Sequence, residues 1–171
     1  RNKLVEWLDR FPAARDYIIT MKFKPPPHYK KGAFVDIHHQ QFSGSLVGQM
    51  LPQLAVEQLN SPEQQLDDFL GNDFALIIQD KNLIENAIEI SKSFFYQTQI
   101  KTIFIGQPPF RSSDYVTNLV PKADSLLKKL RAHRDQVILI RPDRYVAASF
   151  SGENQKGTLA KFKEILNKRS N

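Results

Sequence analysis

"FALIIQDKNLIENAIEISKSFFYQTQIKTIFI", residues 74–105, holds two apolar runs on either side of an amphipathic segment. The run within 74–80 is continuous, which is typical of a strand buried on both faces. Residues 100–107, IKTIFIGQ, are predicted to form a second buried strand. Between them, apolar residues such as Leu83 and Ala87 recur at helical spacing, which predicts an amphipathic helix. A strand–helix–strand unit implies a parallel strand pair with a right-handed crossover.

The segments around this unit continue the alternation of strands and helices. The predicted elements, in chain order, are a strand at 54–59, a short helical turn at 65–71, the unit itself, a loop at 108–119, a helix at 121–133, strands at 136–142 and 145–150, and a helix at 157–169. Pro121 falls in the first turn of its helix, where proline is tolerated. A turn at Pro142 and Asp143 makes the last two strands an antiparallel hairpin. This is the order of a thioredoxin-like domain, an α/β three-layer sandwich around a central mixed sheet.

The chain before residue 54 is organised differently. Residues 1–20 show helical apolar spacing, which predicts a helical segment. Residues 21–53 form an arm rich in proline, glycine and polar residues, in which Pro25–Pro27 forbid helix. An arm of this length is long for a plain loop, so it must wrap over something or be held by a partner. We therefore predict a helical segment, a connecting arm and a thioredoxin-like domain at 54–171.

A thioredoxin-like fold raises the question of thiol chemistry, which this chain cannot perform. A thioredoxin carries its reactive Cys-x-x-Cys where the buried strand meets the next helix. Here that position reads QDKNLIEN, residues 79–86, and the whole chain has no cysteine. Asp135 and Gln136 stand where thioredoxins have the proline that precedes the hairpin. Dithiol exchange is excluded, and so is a peroxiredoxin-like enzyme.

The histidines suggest a metal site only weakly. His38 and His39 are adjacent, so in a strand they would point to opposite faces. With His28 and Asp36 they match no ligand spacing typical of a metal site, and ordinary loop histidines are the favoured interpretation. No metal-binding residue is predicted.

Two further clusters are better explained by structure than by chemistry. Asp67 and Asp68 would diverge by about 100° on a helix, which favours helix capping over a paired acid–base site. Residues 43–48 contain serines and glycines of the kind found in phosphate loops. The lysine of the Walker pattern and a G-x-G-x-x-G fingerprint are both absent. We predict no catalytic and no cofactor-binding residue in this chain.

Composition indicates the class of protein. A chain of 171 residues, 41% hydrophobic and 25% charged, suits one compact domain. The net charge of +6 clusters partly near predicted helix ends, which favours solvated termini over nucleic-acid binding. The basic, aromatic stretch at 23–34 is more typical of a docking arm than of a base-stacking platform.

No apolar run is long enough for a membrane span, and a cysteine-free chain fits the cytoplasm. The start at Arg1, within a helical pattern, indicates a fragment.

Four motifs together carry a family resemblance. They are "MKFKPPPHYKKGAF" at 21–34, "GSLVGQMLPQ" at 44–53, "LDDFLGNDFALI" at 66–77 and "VILIRPDRYVAA" at 137–148. In this order and spacing they resemble the C-terminal region of FAD-dependent aromatic-ring hydroxylases, nearest the 3-(3-hydroxyphenyl)propionate and resorcinol hydroxylase subgroup. The family more often has glycine where this chain has Arg144, which leaves the type of the hairpin turn open because arginine adopts positive φ less easily.

The resemblance implies a non-catalytic domain of a larger enzyme. The parent would use NADH or NADPH to reduce FAD and would hydroxylate a phenolic ring. Its flavin and substrate sites would lie upstream, with no cofactor held by this chain, and residues 1–20 would be the helical segment that comes from its catalytic region. The domain would pack against those upstream domains and contribute to a homo-oligomer. The residues expected to make these contacts are apolar or aromatic members of the arm: Phe23, Pro25, Pro26, Pro27, Tyr29, Phe34, Leu46, Met50 and Leu51. The alternative is a free-standing thioredoxin-like binding module without redox activity.

Overall fold

The computed structural model describes residues 27–37, 44–59, 61–94, 100–107, 112–122 and 130–168. The strands are β1 Ala55–Glu57, β2 Gln64–Gln65, β3 Ala75–Ile78, β4 Lys101–Ile105, β5 Val116–Pro121, β6 Val137–Ile140 and β7 Val146–Phe150. The helices are α1 Leu66–Leu70, α2 Ile84–Phe94 and α3 Gln155–Asn167, with 3₁₀ turns at Lys81–Leu83 and Gly152–Asn154. The predicted helix at 1–20 lies outside the described residues.

The strands form one seven-stranded mixed sheet in the order β2-β1-β5-β4-β3-β6-β7. Strands β3, β4 and β5 run parallel, and α2 connects β3 to β4 as predicted. Strand β6 joins the other side of β3 antiparallel, and β7 pairs antiparallel with β6. Helices lie on both faces of this sheet, so the α/β fold with a central mixed sheet and the closing hairpin are confirmed.

The prediction of a loop at 108–119 was wrong in its second half, where β5 lies. Its register pairs Thr102 with Val116 and Ile105 with Leu119, beside the second strand of the crossover unit. The apolar pattern that would have revealed this strand is interrupted by Asn118, which is itself buried. The predicted start of the next helix was also wrong, because Pro121 is the last residue of β5.

Two apolar cores fill the space between the sheet and its covering layers. On the α1 face, Ile77 and Ile103 of the sheet pack in one cluster with Leu66 of the helix. On the opposite face, Leu76 and Ile78 pack in a second cluster with residues of α2 and α3. Alternate residues of β3 thus serve opposite cores, which is why the run is apolar without a break. The predicted covering of one face by the final helix is confirmed.

The described part of the arm closes the outer edge of the sheet. Val35 lies beside Ala148 in a parallel bridge, and its N–H donates to the Ala147 carbonyl at 2.8 Å. Farther along, the Gly48 N–H donates to the Val146 carbonyl at 2.9 Å. An open edge strand invites pairing with other chains, so this cover protects β7. The described residues of the arm thus pack on the domain itself.

The turn of the hairpin contains a backbone conformation that is unfavourable for its residue. Arg144 has a φ of 69°, in the left-handed region that favours glycine. The Arg144 N–H donates to the Arg141 carbonyl at 2.9 Å, and the strand register shifts at Ile140. This is a type I turn followed by a left-handed residue that forms a bulge. The guanidinium donates to the Gly71 carbonyl at 2.7 Å and pairs with Asp67 at 2.9 Å, which gives arginine a structural role there.

We expect the glycine and alanine variants of Arg144 to differ in stability. Both lose the contacts of the guanidinium, but only Arg144→Gly relieves the left-handed strain. The glycine variant should therefore unfold with a free energy about 1 kcal/mol higher than that of Arg144→Ala. Urea denaturation of the two proteins measures the difference, and equal stability would show that the backbone at this position is not strained.

Candidate functional site

The first candidate site is a surface cluster of aromatic rings where the arm meets the hairpin. The Tyr29 ring lies 5.1 Å from the Tyr145 ring, edge to face, and 6.4 Å from the Phe34 ring, stacked. The Arg141 guanidinium lies over Phe34, 4.8 Å from its centroid. Met50 lies opposite Tyr145 in an antiparallel bridge. We call these five residues the aromatic patch.

Two members of the aromatic patch are exposed although their side chains are large. Tyr29 is 51% exposed and Met50 is 54% exposed, whereas Phe34 is half-buried against the α1-face core. Aromatic residues, methionine and arginine are the types enriched in protein–protein interfaces. Rings held against each other and by a cation lose little conformational freedom when a partner covers them. The patch therefore has the chemistry of a preformed docking surface.

One hydroxyl group of the patch, that of Tyr145, has a shifted pKa. Desolvation, and then the neighbouring Tyr29, raise the pKa of Tyr145 above its ordinary value of 10.0. Ionisation of Tyr145 would place a charge among the rings, so the patch favours the neutral form of this residue.

This raised pKa predicts an alkaline effect on stability. The folded state holds the Tyr145 proton more tightly than the unfolded chain does. The contribution is therefore complete below pH 10 and is lost as the pH rises through the folded-state pKa. We expect Tyr145→Phe to lose less stability than the natural sequence between neutral pH and this alkaline range. Urea midpoints at both pH values test this, with Tyr115→Phe as the control at an exposed tyrosine outside the patch. Parallel declines for Tyr145→Phe and the natural sequence would refute it.

The arm residues predicted to make contacts fall into three groups. Tyr29, Phe34 and Met50 belong to the aromatic patch, and Pro27 is exposed close by in the chain. Leu46 and Leu51 are buried in the α1-face core, so they have no surface to offer a partner. The remaining candidates lie outside the described residues: Phe23, Pro25 and Pro26. The sequence reasoning missed Arg141 and Tyr145 because they come from the hairpin, far later in the chain, and no local pattern links them to the arm.

The structure shows what two of the histidines and both carboxylates of the Asp67–Asp68 pair contact. Among the residues that the structure describes, no cluster of His, Asp or Glu could hold a metal ion. The His28 ring contacts the Val47 carbonyl at 2.7 Å, and the His133 ring contacts the Gln136 side chain at 3.0 Å. Asp68 accepts the Gln65 N–H at 3.0 Å and caps α1 as predicted. The Asp67 carboxylate instead forms an ion pair with Arg144.

The second candidate site is a cleft of about 800 Å³ beyond the carboxyl ends of β3 and β4, where a thioredoxin would carry its thiols. Its lining residues are Gln79, Asp80, Lys81, Asn82, Phe104, Ile105, Gly106, Gln107, Pro121, Arg131 and Arg134. Ligands of open α/β sheets bind at this end of the strands. We call this site the strand-end cleft.

The turn between β3 and α2 does not fit the pyrophosphate of a flavin dinucleotide. Such a group needs close-approaching glycines and free N–H groups at the helix start. Here the Asp80 carboxylate accepts the Asn82 N–H at 3.0 Å. The negatively charged Asp80 side chain thus occupies the place where a phosphate would bind. Among the described residues there is no glycine-rich turn at this point.

Comparisons of sequence point to one group of proteins. A family model described as the HcaD C-terminal domain matches residues 48–165. A 3-(3-hydroxy-phenyl)propionate/3-hydroxycinnamic acid hydroxylase of Mycolicibacterium gilvum is 26% identical over 157 residues, which are 87% of this chain and 27% of that protein. A counterpart from Burkholderia vietnamiensis is 27% identical over 173 residues, 95% of this chain and 31% of its own length. The chain thus spans less than a third of the relatives it matches.

Comparisons of structure support the fold. Aklavinone-11 hydroxylase, solved as a ternary complex with FAD and aklavinone, superposes with a TM-score of 0.55 at 15% identity, over 80% of this chain and 26% of that one. Yeast Sco1 with copper bound gives a TM-score of 0.50 at 18% identity, over 69% and 92% of the two chains. At these identities the likeness is one of fold alone. No helix in the described ranges has the length and apolar character needed to cross a membrane.

Proposed function

The chain belongs to the HcaD C-terminal domain family, and from this premise we propose that it is the C-terminal domain of a FAD-dependent aromatic-ring monooxygenase. The observation that carries the proposal is the family match over residues 48–165, with hydroxylases in which the matching region is less than a third of the length. In this proposal the chain does not perform the reaction. It packs against the flavin-containing part of the enzyme and contributes to its assembly.

The chemistry of the whole enzyme lies outside these residues. Reduced by NADH or NADPH, the flavin would supply the hydroxylation of a phenolic ring such as that of a 3-hydroxyphenylpropionate. The capped turn at Asp80 and the absence of a dinucleotide fingerprint support placement of that flavin elsewhere. The chain has no cysteine, so no thiol of this domain can supply redox chemistry instead of the flavin.

The aromatic patch is the surface we assign to this packing. The exposed Tyr29 and Met50 form the apolar centre of this interface, and Arg141, over the Phe34 ring, adds polar capacity. The arm that carries Tyr29 is fixed to β7 by backbone hydrogen bonds, so the patch keeps its shape before a partner arrives. Preformed surfaces of this type bind without a large ordering cost.

A flavin titration combined with light scattering tests whether the flavin is bound outside this chain. The 171-residue chain should show no perturbed flavin spectrum after FAD is added. A longer polypeptide that contains it should bind FAD and oxidise NADH or NADPH faster when a 3-hydroxyphenylpropionate is present. Stoichiometric FAD binding by the chain alone would overturn the proposal. A full-length protein that is no larger than this chain and lacks flavin would instead support a free-standing binding module.

A further inference from the structure

We propose that the layer formed by α2 and α3 is a self-complementary surface through which two copies of this chain associate. In this dimer α2 of each copy packs on α3 of the other, so the contact has a two-fold axis. The layer covers the face of the sheet opposite α1, whereas Phe34 of the aromatic patch packs on the α1 side. The surface is therefore distinct from the docking surface proposed above.

The exposed side of α2 carries a row of carboxylates. Glu85 and Glu89 are exposed and lie four residues apart, so they are neighbours on one side of the helix. Neither carboxylate forms an ion pair with a residue in the described ranges. Lys92, the basic residue of this helix, lies over the Tyr115 ring, with its ammonium group 3.9 Å from the ring centroid. The two carboxylates are thus available to a partner.

The exposed side of α3 carries a row of the opposite charge. Lys156 and Lys163 are exposed and lie seven residues apart, about two helical turns, which places them on one side of the helix. Within the part of the chain that the structure describes, neither lysine forms an ion pair. The carboxylate of this helix, Glu164, is instead paired with Lys168 at 2.6 Å. The two ammonium groups therefore match the carboxylates of α2.

An apolar row lies beside each charged row. On α2 it consists of Ile84 and Ile88, each next in sequence to a carboxylate, and on α3 of Leu159 and Leu166, each three residues after a lysine. All four side chains pack on the core below but are only partly buried. Removal of their remaining surface from water would supply affinity. Exposed ion pairs add little energy, and their role is to fix the orientation of the two copies.

The charge of the whole chain favours this pairing of unlike helices. A net charge of +6 makes two copies repel each other, which disfavours contact through an arbitrary surface. When α2 meets α3, a carboxylate row faces an ammonium row, and the two-fold axis repeats this contact. When like helices meet, like charges face each other, which is destabilising. The occupant that fits this surface is therefore a second copy of the chain.

Sedimentation of the 171-residue chain tests whether the dimer forms. We expect a reversible monomer–dimer equilibrium with a Kd on the order of 100 µM. Dimerisation should weaken several-fold when the salt concentration is raised from about 0.05 M to about 0.5 M, because the charged rows are exposed. A chain that remains monomeric up to about 1 mM would overturn the inference.

Charge reversal tests which helices pair. Glu85→Lys combined with Glu89→Lys makes both rows basic, and Lys156→Glu combined with Lys163→Glu makes both rows acidic. Each variant alone should dimerise at least about tenfold more weakly than the natural sequence. A mixture of the two variants should dimerise again, because each contact of the heterodimer then joins a basic row to an acidic row. Failure of the mixture to associate, with both variants folded by circular dichroism, would contradict the pairing.

A matched control separates this surface from an effect of net charge. Lys30→Glu combined with Lys31→Glu changes the net charge as much as the α3 variant does, but at exposed positions of the arm. It should not weaken dimerisation, and a loss equal to that of the α3 variant would contradict a defined surface. These tests use the chain alone. A chain that is monomeric but still binds the flavin-containing part would remove this inference and leave the proposed docking intact.

Discussion

Replacing Gly48 by alanine will lower the free energy of unfolding by about 3 kcal/mol. Gly48 has a φ of 80°, which costs an L-residue about 1–2 kcal/mol. In addition, an added Cβ would overlap the Tyr29 carbonyl oxygen and lie 2.8 Å from its carbonyl carbon. The obstacle is backbone, so it cannot rotate away. The arm must shift and lose the 2.8 Å hydrogen bond from the Tyr29 N–H to the Gly48 carbonyl.

The chain provides a matched control for this substitution. Gly44 has a φ of 71°, and a Cβ there would meet no atom of the described residues within 4 Å. Gly44→Ala should therefore cost only the backbone term of about 1–2 kcal/mol. Denaturant midpoints of both variants measure the difference. Equal losses at the two positions would mean that the close approach between the arm and residue 48 is not present in solution.

Truncating Phe162 to alanine will cost about 4 kcal/mol of unfolding free energy. Phe162 is fully buried where α3 covers the sheet, and its ring meets the Phe74 ring edge to face at 5.8 Å. Removal of such a ring loses its transfer free energy and leaves a cavity that the sheet cannot fill. Lys161→Ala, on the exposed side of the same helix, should change stability by less than about 0.5 kcal/mol. A loss below about 1 kcal/mol at Phe162 would show that α3 does not cover this face.

The sheet centre was predictable because its signals are local and strong. Ala75–Ile78 is apolar throughout, Lys101–Ile105 ends in the apolar residues 103–105, and the helix between them has clear periodicity. Strand β5 was missed for a physical reason. Neighbouring strands bury it on both sides. In the sequence, however, the polar residues Thr117 and Asn118 interrupt the apolar run by which a buried strand is recognised.

The candidate sites were harder to predict because distant segments build them. The arm pairs with β7 through backbone groups such as the Val35 N–H, and backbone pairing leaves no side-chain pattern to detect. The exposed Met50 and the buried Leu51 are neighbours in the same apolar motif, so only the fold shows which of them can meet a partner. Arg144 shows the same limit, since the Asp67 that it contacts lies far away in the sequence.

The central claim is that the aromatic patch docks this domain onto the flavin-containing part of a monooxygenase. The most direct measurement is the affinity between the 171-residue chain and that flavin-containing part, expressed separately, by light scattering and calorimetry. We expect stable binding that Tyr29→Ser combined with Met50→Ser weakens at least about tenfold, since truncation of interface anchors costs more than 1 kcal/mol each. Tyr115→Ser, at an equally exposed tyrosine outside the patch, should leave the affinity unchanged. Absence of binding, or an equal loss with Tyr115→Ser, would contradict the claim.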